Sequence, residues 1–122
     1  FRPLYPSDLG LAEKVETIAR EIYGADGVDF DGAALKSIDR LEAAGMRDSP
    51  VCIAKTQYSF SDDPTKLGRP TGFRMSVRDV VPSAGAGFAV VLTGNVMTMP
   101  GLGATPAATR MGVEDGKAVG LF

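Results

Sequence analysis

Leu11, Val15, Ile18, Ala19 and Ile22 recur at spacings of four, three, one and three, which places them on one side of a helix. Ser7 and Asp8 stand ahead of the run as N-cap residues. Glu13 and Glu16 near its start suit the helix dipole, and Gly24 supplies the left-handed conformation that closes such a segment. The pattern predicts a helix over about 9–23. Val28 and Phe30 then flank Asp29 in an alternation long enough only for an edge strand. Asp31 opens a second apolar stripe of Ala34, Leu35, Ile38 and Leu41, predicting a helix over about 32–44 that Gly45 ends, with Met46 packed back onto it.

Strand patterns dominate the remainder of the chain. Val51 to Ala54 is continuously apolar, the pattern of a strand buried on both faces in parallel pairing, and its Cys52 reads as a small buried hydrophobe. Gly72 to Asp79 alternates, with Phe73, Met75 and Val77 inward and Val80-Val81-Pro82 as its end. Ser83 to Gly87 is a flexible connection to a second buried strand, Phe88 to Leu92. Met97, Met99 and Leu102 belong either to the core or to the wall of an apolar pocket. Pro106 to Arg110 holds one helical turn, and Asp115-Gly116 makes a hairpin turn before a final strand from Ala118. These patterns give the α/β class: a single mixed α/β domain over 1–122 with about two main helices and four to five strands. A lead-in segment, 1–8, precedes it.

One stretch fits neither period. Lys55 to Thr71 leaves a buried strand and runs for about fifteen polar residues, and a loop that long in a compact domain is more often functional or disordered than neutral. In open α/β sheets ligands sit beyond the carboxyl ends of strands, which is where 55–71 begins. Lys55 is either a cation facing an anionic ligand or a strand-end lysine reaching solvent. Asp62-Asp63-Pro64 either helps hold magnesium with phosphate oxygens or caps a turn. Gly68-Arg69-Pro70-Thr71-Gly72 either approaches a ligand closely or turns the chain into the next strand.

Composition narrows the chemistry. The 122 residues contain no histidine, which removes Ser-His and Cys-His nucleophile systems and the usual zinc sets. One cysteine allows no internal disulfide. A net charge of −2 carries no footprint for nucleic acid or an anionic membrane. No apolar run approaches the roughly twenty residues of a membrane span, and no signal-peptide pattern is present, so the expected place is the cytosol. Gly85 and Gly87 suggest a phosphate-cradling loop, but Val90 stands where the third glycine of Gly-x-Gly-x-x-Gly belongs, and no P-loop is assigned. No catalytic residue and no metal ligand is assigned. The chain opens on Phe1 rather than Met, with apolar groups that have no local structure to bury them, which suggests a piece of something larger.

Several of these segments, taken together and in order, carry a resemblance. Ala54-Lys55-Thr56-Gln57-Tyr58-Ser59, Pro70-Thr71-Gly72-Phe73, Gly85-Ala86-Gly87-Phe88, Met97-Thr98-Met99-Pro100-Gly101-Leu102 and Gly120-Leu121-Phe122 resemble the C-terminal part of formate–tetrahydrofolate ligase, also called formyltetrahydrofolate synthetase. Ile22-Tyr23-Gly24-Ala25-Asp26-Gly27-Val28 looks like the same family. Gly103-Ala104 departs from it, since relatives usually carry proline and a basic residue there. The resemblance implies an enzyme that joins formate to tetrahydrofolate at the expense of ATP through formyl phosphate, giving 10-formyltetrahydrofolate, ADP and phosphate. It implies magnesium, a stimulating monovalent cation, and a homotetramer. It implies that the P-loop and the formate-site residues lie upstream, in a catalytic domain against which this region packs. Position and resemblance together make Lys55 and Gln57 candidate cleft-lining groups and Leu67, Arg69, Pro70 and Thr71 candidates for nucleotide contact. The alternative is a structural or oligomer-forming domain of the same enzyme that touches no ligand.

Overall fold

The computed structural model describes residues 2–94, 96 and 104–120. Met97, Met99 and Leu102, for which core and pocket were both open, lie outside these residues, as do Phe1, Leu121 and Phe122. In chain order the elements are α1 (Leu11–Glu21), β1 (Gly27–Phe30), α2 (Gly32–Leu41), β2 (Val51–Ala54), β3 (Arg74–Ser83), β4 (Phe88–Thr93), β5 (Gly112–Glu114) and β6 (Lys117–Val119). The fold is the expected α/β class, with a four-stranded mixed sheet in the order β1-β3-β4-β2 and a separate β5–β6 hairpin turning at Asp115-Gly116.

One helix face is confirmed in part. Leu11, Val15 and Ala19 are fully buried, and they pack in one core with Ala34, Ile38 and Leu41 of α2 and with Met75, Val77, Val80, Ala89 and Val91 of the sheet. Ile22 is 53% exposed, because α1 has already ended when the chain reaches it, and Ile18 is only half-buried. Leu35 is likewise exposed, at the margin of the stripe that buries Ala34 and Ile38. Ser7 and Asp8 do not cap α1. The N-cap is Gly10, whose N–H donates to the Glu13 carboxylate at 2.9 Å, while Glu42 accepts the next free amide, Leu11 N–H, at 2.8 Å. Gly24 and Gly45, both at positive φ, end the two helical segments as expected.

Two strand expectations are corrected. β2 pairs in parallel with β4, but it is an edge strand and only half-buried. Its register aligns Val51 and Ile53 with the buried Ala89 and Val91, which turns Cys52 the other way, and Cys52 is exposed. A continuous apolar run therefore did not mean burial on both faces. β3 runs through its expected end at Val80-Val81-Pro82 to Ser83, antiparallel to β4. Opposite Pro82, Ala89 N–H donates to the Pro50 carbonyl, so the ladder loses no bond at the proline.

The start of the chain is fastened by a lysine that no periodicity marks. Lys14 is fully buried, and its Nζ donates to the carbonyls of Arg47 at 2.7 Å and Ser49 at 3.1 Å. The Tyr5 ring lies 5.9 Å from the same ammonium, and Tyr5 Oη accepts the Val51 N–H at 3.3 Å. Glu42 adds an ion pair with Arg47 at 3.0 Å. These contacts bind 5–15 to the turn between α2 and β2.

Leu11→Ala should cost about 2–5 kcal/mol in urea unfolding, because it empties a fully buried site. Ile22→Ala should change stability by about 0.5 kcal/mol or less. Equal losses would mean that the buried face of α1 lies elsewhere. A second expectation concerns pH. Burial holds the Lys14 pKa below its ordinary 10.5, against the opposing pull of Asp48, Glu42 and Asp8. The native state then sheds its proton at a lower pH than the unfolded chain. The cost of the buried charge is fully present at neutral pH and is relieved as pH rises through the folded pKa toward 10.5. Unfolding at pH 7 and pH 10 should show wild type gaining stability relative to Lys14→Met; a flat or falling difference would contradict this placement of the ammonium.

Candidate functional site

Three strand ends meet at one point. β1 runs parallel to the first half of β3 and ends with Phe30 opposite Val77, while β4 runs antiparallel to the second half and ends with Thr93 opposite the same Val77. β2, parallel to β4, ends with Ala54 opposite Leu92. The carboxyl ends of β1, β2 and β4 thus converge on the middle of β3. There the register slips by one between Val77 and Asp79, making Arg78 the extra residue of a β-bulge. A cavity of about 700 Å³ opens at this junction, lined by Asp31 after β1, Lys55 to Tyr58 after β2, Thr93 at the end of β4 and Gly94 after it, Ser76 and Arg78 from β3, and Asp62 to Pro64 from the loop.

Because β4 stops at Thr93, the amide of Ser76 on β3 has no strand to receive it. Asp62 takes that place, its Oδ2 accepting the Ser76 N–H at 2.9 Å. The loop can come so close only because Gly94 lacks a side chain: a Cβ there would stand 2.8 Å from the Asp62 carbonyl oxygen, at a φ of +55.

The loop 55–71 is folded without forming regular elements. Ser59 and Gly68 bridge like adjacent strands, with Phe60 N–H donating to the Gly68 carbonyl at 2.8 Å and Gly68 N–H to the Tyr58 carbonyl at 3.0 Å. Inside this closure the hydroxyls of Ser59 and Ser61 share a buried hydrogen bond of 2.8 Å. Asp63 Oδ1 accepts from Thr65 N–H and Oγ1, which holds its carboxyl below the usual carboxylate range and decides for the turn-capping role. Lys55 Nζ donates to the carbonyls of Thr56 at 2.8 Å and of Ser59, and sits 5.1 Å from the Tyr23 ring centroid. Burial lowers its pKa while Asp62 works to raise it. Lys55 is thus neither of the two expected things alone: it lines the cavity and also fastens the first turn of the loop.

The sequence candidates divide. Lys55 and Gln57 line the cavity. Leu67, at 73% exposure, Arg69, Pro70 and Thr71 lie on the far limb of the loop and do not line it. Asp31, Ser76, Arg78 and Thr93 were not candidates, and they enter through pairing that spacing does not reveal. Asp31 is the N-cap of α2 yet makes no side-chain capping bond, which leaves its carboxylate to the cavity. Arg74 is held by Asp29 through contacts of 2.7–3.0 Å and by the Val28 carbonyl, away from this site. The cavity offers a polar ligand cations, carboxylates and hydroxyls together. One carboxylate oxygen each of Asp62 and Asp63 is already engaged, and no group of three or more metal-binding side chains exists among the described residues. No helix among the described residues is long and apolar enough to cross a membrane.

Comparison with known proteins gives one consistent result. The family model described as formate–tetrahydrofolate ligase matches residues 1–122. The chain is similar to the formate–tetrahydrofolate ligases of Arthrobacter sp. strain FB24 (59% identity), Symbiobacterium thermophilum (58%) and Paenarthrobacter aurescens strain TC1 (57%). Each match covers 100% of this chain and 22% of the relative, so the chain spans about a fifth of the length of the curated relatives it matches.

Asp62→Ala should free the Ser76 amide without touching the core. Its hydrogen exchange should accelerate roughly tenfold to a hundredfold, the loss of about 1.5–3 kcal/mol expected for a hydrogen bond to a charged acceptor. Exchange at Val80, deep in β3, should stay as in wild type. Unchanged protection at Ser76 would show that the carboxylate does not complete the ladder.

Proposed function

The chain belongs to the formate–tetrahydrofolate ligase family, and from that membership we propose that it is the C-terminal domain of an enzyme joining formate to tetrahydrofolate with ATP, giving 10-formyltetrahydrofolate, ADP and phosphate. The observation that supports a ligand-bordering role is the cavity at the converging strand ends, walled by Lys55 and Gln57. The domain packs against an upstream catalytic domain, which supplies the phosphate-cradling loop and the groups that hold magnesium and a monovalent cation. The full protein works in the cytoplasm as a homotetramer. In this reading Lys55 sets the path of the loop, and the far limb, Leu67 to Thr71, reaches the adenine and ribose of ATP with Arg69 as its charged contact. This chain alone is expected to show no ligase activity. Its structural reading, a subunit contact without ligand, is favoured by the exposure of Leu67.

Arg69→Ala in the full-length enzyme separates the two. A charge-assisted contact is worth about 1.5–3 kcal/mol, so KM for ATP should rise roughly tenfold to a hundredfold. Turnover should stay nearly intact if the contact is equal in ground and transition states. Unchanged constants for all three substrates, with a tetramer that dissociates more readily, would replace the nucleotide role by the structural one.

A further inference from the structure

A second cavity shares the wall formed by 55–58 with the first. It measures about 360 Å³ and is lined by Tyr23, Lys55, Tyr58, Ser59, Phe60 and Gly68, with Thr56 and Gln57 at the shared wall. Three of its walls are aromatic. Tyr23 and Phe60 meet edge to face, with ring centroids 6.1 Å apart at an interplanar angle of 71°, which fixes the two rings against each other. Tyr58 is 60% exposed and Phe60 43% exposed, although both flank Ser59, which is buried. The Ser59–Gly68 bridge holds the two rings at the cavity while the hydroxyl between them turns inward.

The single charge in this lining is the Lys55 ammonium. Two of its three donors are engaged by the Thr56 and Ser59 carbonyls, and no carboxylate forms an ion pair with it among the described residues. It is held over the Tyr23 ring, half withdrawn from solvent, where a charge partner is worth more than in open water. The volume is at the small end for ligand sites, enough for one or two fused rings.

We propose that this cavity binds a small planar aromatic acid, its ring against Tyr58 and Phe60 and its carboxylate on the remaining donor of Lys55. The site shares the 55–58 wall with the strand-end cavity, is set apart from it by Tyr23, Phe60 and Gly68, and does not depend on the nucleotide role of Arg69. A flat ring suits the aromatic walls, and an anion suits the one cation. A saturated ring of the same charge would lose the stacking, and a neutral ring would leave the ammonium unpaired.

The test uses the full-length protein and 2-naphthoate in equilibrium dialysis, with cyclohexanecarboxylate and 2-naphthylmethanol as comparison probes. A saturable component of 2-naphthoate binding is expected, and Tyr58→Ala and Phe60→Ala should each weaken it at least tenfold. Both side chains are partly exposed, and thermal unfolding should confirm that the variants fold. Lys66→Ala, on the same loop, exposed and outside the lining, should bind as wild type. Cyclohexanecarboxylate and 2-naphthylmethanol should each bind at least tenfold more weakly than 2-naphthoate. The proposal is overturned if no saturable component appears or if both aromatic variants retain it. It is equally overturned if the saturated acid or the neutral alcohol binds as tightly as 2-naphthoate. Neither result would bear on the KM of Arg69→Ala for ATP.

Discussion

The arrangement of the whole molecule rests on β3 being longer than any strand beside it. Ten residues long, it pairs in parallel with β1 over its first half and in antiparallel fashion with β4 over its second. β1 lies along one edge of β3 and β4 along the other, and both end level with Val77. Beyond the end of β4, the β3 backbone on that edge has no ladder partner. The Ser76 amide is one such group, and a side chain meets it in place of a strand. The sheet therefore needs the 55–71 loop, whose Asp62 receives the Ser76 amide, and the loop in turn needs a glycine at position 94 to pass. The bulge at Arg78 belongs to the same junction: the register slips at the point where one half of the strand gives way to the other.

Two lysines serve this fold in the same unusual way. Lys14 and Lys55 each direct an ammonium at a pair of backbone carbonyls beside a tyrosine ring, and neither forms a salt bridge among the described residues. Both pKa values are lowered by burial. An ammonium with three donors gathers carbonyls that point the same way where the chain turns too tightly to pair them with amides. Lys14 does this at the turn before β2, and Lys55 at the turn after it. The short edge strand is thus fixed at both ends by side chains whose charge would suggest a surface position.

This explains which parts were legible in the sequence. Helix and strand type follow from period, so α1, α2, β1, β2, β4 and the hairpin turn all stand close to their expected places. Period does not say how many faces of an element are covered, and Cys52 was misplaced for that reason. Nor does it distinguish a residue inside the last turn from one just past it, as Ile22 shows. Pro82 suggested a strand end because proline lacks a donor, yet at this register no donor was required. In the site, Lys55 and Gln57 were legible because they directly follow a strand. Asp31, Ser76 and Arg78 were not, because what joins them is the pairing of β1 and β4 to opposite halves of β3. Lys14 gave no signal, since its role depends on two carbonyls more than thirty residues away.

The hydroxyl of Tyr5 gives the lead-in segment a meaning beyond anchoring. Val51 points its N–H away from β4, because β4 is already served on that side by Pro50, whose carbonyl receives Ala89 N–H. Among the described residues β2 is therefore a border of the sheet, short, apolar and low in charge, the type of strand onto which another extended chain can add. Tyr5 occupies the first donor of that border with a phenol, a group that ends a ladder because it brings no backbone of its own. The segment before α1 thus meets the first amide of that border with a side chain in place of a strand, and the Lys14 ammonium lies 5.9 Å from the same ring.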